Sequence, residues 1–160
     1  MCTARLTEVS GHVVRFEYKQ PDEQDVLPPP DAVIVAPATF NTINKWAAGI
    51  NDTVALGLLN EAVGLELPIV AVPFPNVALA RHPTFQASID TLRSWGIRLI
   101  FDPELHPLPT PNMGPPAADL FPWPALMSEL ALVRRELAEV DEPGATFANV
   151  RADGARRNSL

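Results

Sequence analysis

Cysteine is almost missing from this chain: Cys2 is the only one in 160 residues. That excludes an intrachain disulfide and a cysteine-built metal cluster, and it fits a reducing, cytoplasmic location. Cys2 itself reads as an isolated N-terminal residue without a role. No apolar run approaches the roughly 20 residues a membrane-spanning helix needs. The opening MCTARLTEVSG lacks the apolar core of a signal peptide, so neither membrane nor export is expected. Positive charge is also short, with 12 Lys and Arg against 19 Asp and Glu, a formal net charge of -7 and a pI near 4.8. Such a surface repels phosphate backbones, so nucleic acid is not an expected partner. The three histidines, His12, His82 and His106, have no metal-ligand spacing, and no metal is expected. Dinucleotide and P-loop glycine motifs are absent, as is a nucleophile elbow.

What is present is enough apolar material for a core: 47% of the residues are hydrophobic. The length argues for one domain over residues 1–140 and a loose tail over 141–160, where Gly, Ala, Arg and Asn take over. Residues 12–18 (HVVRFEY) alternate and predict a strand. Proline and charge over 20–30 predict an exposed connection. AVIVA (32–36), PIVAVP (68–73) and IRLIF (97–101) are short β-branched runs of the kind that suit parallel strands covered on both faces.

Between these runs the spacing turns helical. Ile43, Trp46, Ala47 and Ile50 predict a helix from about Thr42, ended by Gly49. Val54, Leu58 and Leu59 predict another over 52–63, with Asp52 as its N-cap. A loop over 74–83 leads into a helix over 84–95, with Pro83 suited to a first helical position and Gly96 closing it. Alternation at this pitch argues for βαβ units and a doubly covered parallel sheet, an α/β fold. The proline-dense segment 102–124 is expected to be irregular, as a lid, an oligomer contact, a disordered stretch or, in a non-catalytic partner, an interaction arm. Leu126, Leu130, Val133 and Leu137 predict a last helix over 124–140.

Two loops remain at carboxyl ends of strands, where ligands sit in open α/β sheets. PATFNT offers the Thr39 and Thr42 hydroxyls, the Asn41 amide and free N–H groups at a helix start, a set able to hold a phosphate or a heterocycle edge. Asn41 and Thr42 serve equally as ordinary helix caps. The second loop supplies Asn76 beside Pro73 and Pro75, equally a turn residue.

PATFNTINKWAAGINDTVALG resembles the PASANT motif of the homo-oligomeric flavin-containing cysteine decarboxylases, with the G-I-x-D-x-L pattern that follows it. PFPNVALARHP is similar to the same family's second motif, P-x-M-N-x-x-M-W, and the resemblance spans residues 31–101. It implies a flavodoxin-like (Rossmann-like) three-layer fold that assembles into trimers, with FMN at the subunit contact. It further implies that Thr39, Phe40, Asn41, Thr42 and Phe74 contact the flavin and that Asn76 holds a substrate carboxylate. The family's opening strand, Gly-Ser phosphate loop and helix have no counterpart ahead of residue 32, so an N-terminally incomplete sheet is expected. The family's histidine ahead of the first motif has none over 21–26, and no catalytic base is assigned. The resemblance thus implies an FMN-binding, decarboxylase-like oxidoreductase acting on a small molecule. A non-catalytic oligomeric partner, or an inactive truncated homologue, fits the same residues.

Overall fold

The computed structural model describes residues 3–15, 17–18, 22 and 28–140. Three strands, β1 (Val33–Ala38), β2 (Ile69–Pro73) and β3 (Arg98–Leu99), form a parallel sheet in that order. Ahead of them lies α1 (Thr3–Ser10), which buries no residue. α2 (Phe40–Ala47) and α3 (Val54–Gly64) cross from β1 to β2, and α4 (Val77–Ala80) and α5 (Pro83–Ser94) from β2 to β3. A 3-10 turn (Pro115–Leu120) and α6 (Trp123–Val140) complete the order. This is the expected α/β, flavodoxin-like arrangement with a small sheet.

The sheet sorts its side chains by the two-residue strand period. Ile69 and Ala71 of β2 pack with Ile43, Trp46, Leu59, Phe85, Ile89 and Leu92 on one face. Val70 and Val72 pack with Phe121, Leu126 and Val133 on the other. β2 is therefore buried along its whole length, which is why its run carries no polar residue. Trp46 is fully buried, and its indole N–H has no partner among the described residues, so it serves by volume. α6 is further tied to the sheet by Arg98, whose guanidinium donates to Glu129 Oε1 at 3.1 Å and to Glu136.

Several boundaries differ from the sequence expectation. Among the described residues of the alternating stretch 12–18 there is no strand: His12 lies in a bend and 13–15 are irregular. No strand among the described residues pairs with it, and alternation without a ladder does not hold extended backbone. Tyr18 instead donates to the Thr53 carbonyl at 2.9 Å. Thr53, not Asp52, caps α3, accepting the Leu56 N–H at 3.2 Å; Asp52 turns to Lys45. α2 starts two residues before Thr42 because Thr39 caps it. The 74–83 loop contains the short helix α4, and the 102–124 segment contains the 3-10 turn. Gly49 and Gly96, at φ 69° and 81°, close α2 and α5 in the left-handed region as expected. The expected tail, 141–160, and most of 20–30 lie outside the described residues.

Gly57, inside α3, makes room for Tyr18: a Cβ there would meet the tyrosine oxygen at 2.4 Å. Gly57→Ala is expected to raise helix propensity by about 1 kcal/mol while evicting Tyr18 and its hydrogen bond, worth about 1 kcal/mol. Net stability should hardly move, but proteolytic nicking near Tyr18 should accelerate. Unchanged cleavage there would show that Tyr18 is not latched to α3.

Candidate functional site

β1 and β2 run parallel, so their carboxyl ends open onto the same edge of the sheet. Ala38 stands opposite Pro73, and the Phe74 N–H donates to the Ala38 carbonyl at 2.9 Å. That one bond sets the PATFNT loop and the PFPN loop side by side where they leave the sheet. A third segment joins them, because the Val77 N–H donates to the Pro109 carbonyl at 2.9 Å.

In the first loop Thr39 is extended (φ -76°, ψ 165°), and its Oγ1 accepts the Thr42 N–H at 3.2 Å. The two hydroxyls lie 3.0 Å apart. Thr39 and Thr42 thus satisfy one another and build the helix start. The first N–H groups of a helix have no intrahelical partner. With Thr42 capped, the Phe40 and Asn41 N–H groups remain free among the described residues. The Asn41 side chain is exposed, and its amide likewise has no partner there. Phe40 turns its ring inward, stacked on Phe85 at 5.7 Å and 15°, so it offers the loop its backbone donor while its ring packs in the core.

The second loop is organised by Asn76. Its Oδ1 accepts from the N–H groups of Ala78 and Leu79 at 3.1 and 3.0 Å, capping α4. An oxygen engaged twice identifies which end of the amide is which, so both hydrogens of Nδ2 remain available. Asn76 is half-buried. Phe74, two residues earlier, meets Phe121 edge to face at 5.3 Å, and Phe121 in turn leans on Trp123 at 4.6 Å. Nothing in the sequence marked this aromatic wall, since Phe121 and Trp123 are distant from Phe74 along the chain.

None of the three histidines hydrogen-bonds with these donors. His12 is exposed, with its N–H on the Ser10 hydroxyl. The His106 N–H donates to the Asp102 carbonyl at 2.8 Å. His82 caps α5 through Nδ1, which accepts the Thr84 N–H at 3.2 Å. Neither PATFNT nor PFPNVALA contains a charged side chain. Their donors are neutral amides and N–H groups, matched to the carbonyls and ring nitrogens of an uncharged heteroaromatic edge. They fit the ring of a flavin, and they lack a cation for its phosphate.

Known proteins share this frame. The chain is 32% identical over 95 residues to the coenzyme A biosynthesis bifunctional protein CoaBC of Thermococcus kodakarensis, which covers 59% of this chain and 22% of that protein. It is 37% identical over 70 residues to a cysteine/cysteine sulfinic acid decarboxylase from an unknown prokaryotic organism, covering 44% and 19%. The chain thus spans about a fifth of these relatives. Among solved structures, the FMN-dependent cysteine decarboxylase SpaF superposes with a TM-score of 0.53 at 28% identity, over 62% of this chain and 58% of SpaF. HAL3 from Cryptococcus neoformans shares the fold at a TM-score of 0.51 and 21% identity, over 67% and 50% of the two chains. The Flavoprotein family model matches residues 10–131 and so takes in both loops and the first half of α6. With sheet, loop order and family model in agreement, this chain belongs to the Flavoprotein family.

Proposed function

We propose that this chain binds FMN by its ring at the β1–α2 and β2–α4 loops and acts as a flavin-dependent decarboxylase of a small, thiol-bearing carboxylate. The observation that carries the reading is the Phe74 to Ala38 hydrogen bond at 2.9 Å, which brings two neutral donor sets to one sheet edge. The Phe40 and Asn41 N–H groups and the Asn41 amide hold the ring edge. Thr39 and Thr42 keep that helix start in shape, and Phe74 supports the second loop against Phe121. Asn76 donates from Nδ2 to the substrate carboxylate, held in that orientation by its own capping bonds. A bound flavin supplies a two-electron acceptor for the carbon that bears the thiol.

SpaF, a cysteine decarboxylase with the same fold, supports the chemistry. Exposed apolar residues on α3 and at its C-terminal cap, Leu58 at 47% and Leu65 at 63%, support assembly into a homo-oligomer, as in the trimers the resemblance implies. The single cysteine suits a cytoplasmic setting. A second reading, a flavin-binding partner without turnover, is favoured by one feature: His82, the histidine nearest the loops, has Nδ1 committed to a helix cap.

Purified protein mixed with excess FMN should leave gel filtration yellow, with the flavin fluorescence quenched. Protein emerging with no flavin overturns the reading. Release of carbon dioxide from cysteine-ended substrates separates the enzyme from the silent partner.

A further inference from the structure

His82 lies outside both donor loops yet touches the first. Its ring meets that of Phe40 edge to face, 5.7 Å between centroids at 81°, while Nδ1 caps α5. Two unlike contacts therefore fix the imidazole, one polar and one aromatic. The Phe40 ring in turn sits against both His82 and Phe85. Phe40 is the first residue of α2, and its N–H and that of Asn41 are the unpaired donors of the loop. Further along, the buried Ser88 hydroxyl donates to Asn44 Oδ1 at 2.8 Å, pinning α2 to α5 one turn from its start. The Ser88 bond sets where α2 lies; the His82 contact sets how its first turn is aimed.

We infer that His82 is a positioning residue for the flavin site, acting through Phe40 on the donors at the start of α2. This rests on the flavin reading proposed above. The cap and the ring contact are separable functions of one side chain, because different variants keep one and lose the other. Asparagine caps well and has no ring; phenylalanine keeps an aromatic edge and cannot accept a hydrogen bond.

The test measures two quantities on His82→Asn and His82→Phe: the FMN dissociation constant, by fluorescence quenching, and the thermal midpoint. His82→Asn should lower the midpoint by no more than the few degrees of a lost aromatic pair and weaken FMN by about fivefold. His82→Phe should lower the midpoint by a few degrees, the scale of a lost cap, and hold FMN within about twofold of the parent. Phe40→Leu should weaken FMN as His82→Asn does, and the double variant should be no worse than either alone, the signature of coupled residues. Parent-like affinity in His82→Asn, or additive losses in the double variant, overturns the inference. A parent chain that binds no FMN overturns the flavin reading itself, and the inference with it.

Discussion

Asn76→Asp is expected to leave folding nearly untouched and to reduce kcat/KM for a carboxylate substrate by about 100-fold or more. The two halves of that result come from opposite ends of one side chain. Oδ1 caps α4 by accepting from Ala78 and Leu79, and aspartate keeps an oxygen there, since Asn and Asp are near-equal N-caps. The other end changes from a two-hydrogen donor to a carboxylate oxygen. A substrate carboxylate would then face a like charge, which costs several kcal/mol, and each 1.4 kcal/mol is tenfold. Asn76→Ala should lose both functions, with about 1 kcal/mol of stability going with the cap. Urea unfolding alongside steady-state kinetics checks both. Full activity in the aspartate variant would mean that Asn76 is a cap and nothing more.

Phe85→Ala should cost about 3–5 kcal/mol, the range for truncating a fully buried phenylalanine. Phe85 is fully buried in α5. It stacks with Phe40 and meets Phe101 edge to face at 5.5 Å, so one ring joins the helix after β1 to the chain leaving β3. Domains of this size carry about 5–15 kcal/mol in all, and the variant should lie close to the folding threshold. Phe85→Leu, which leaves a smaller void, should lose markedly less. Denaturant midpoints of the two variants decide the matter, and a loss below about 1 kcal/mol for alanine would mean the surrounding core closes the gap.

The centre of the sheet was legible in the sequence because β2 is buried on both faces, and burial writes an uninterrupted apolar run, whereas Ile34 of β1 is half exposed. PIVAVP became β2 with hardly a residue of error. The glycines at 49 and 96 marked the ends of α2 and α5 because only a left-handed residue closes them there. Residues 12–18 misled because alternation reports amphipathicity, and a strand also needs a neighbour. α4, four residues long, is too short to show a helical period. In the site, the motif residues were visible, but their division of labour was not. That Phe40 faces the core, that Thr39 and Thr42 satisfy each other, and that Asn76 leaves only its nitrogen free depend on rotamers. The capping role of His82 was hidden because imidazole is an uncommon cap, and serine, threonine, asparagine and aspartate are the usual signal.

The parallel register of β1 on β2 also bears on how the chain reaches its native state. Val33 pairs with Ile69, and two whole helices intervene, so no hairpin can seed the sheet. The helices form from local contacts, whereas strand pairing waits for the closure of a long loop. Such topologies fold more slowly than helical bundles of similar stability. A stopped-flow refolding trace should therefore show helical signal rising ahead of the burial of Trp46 between α2 and the sheet.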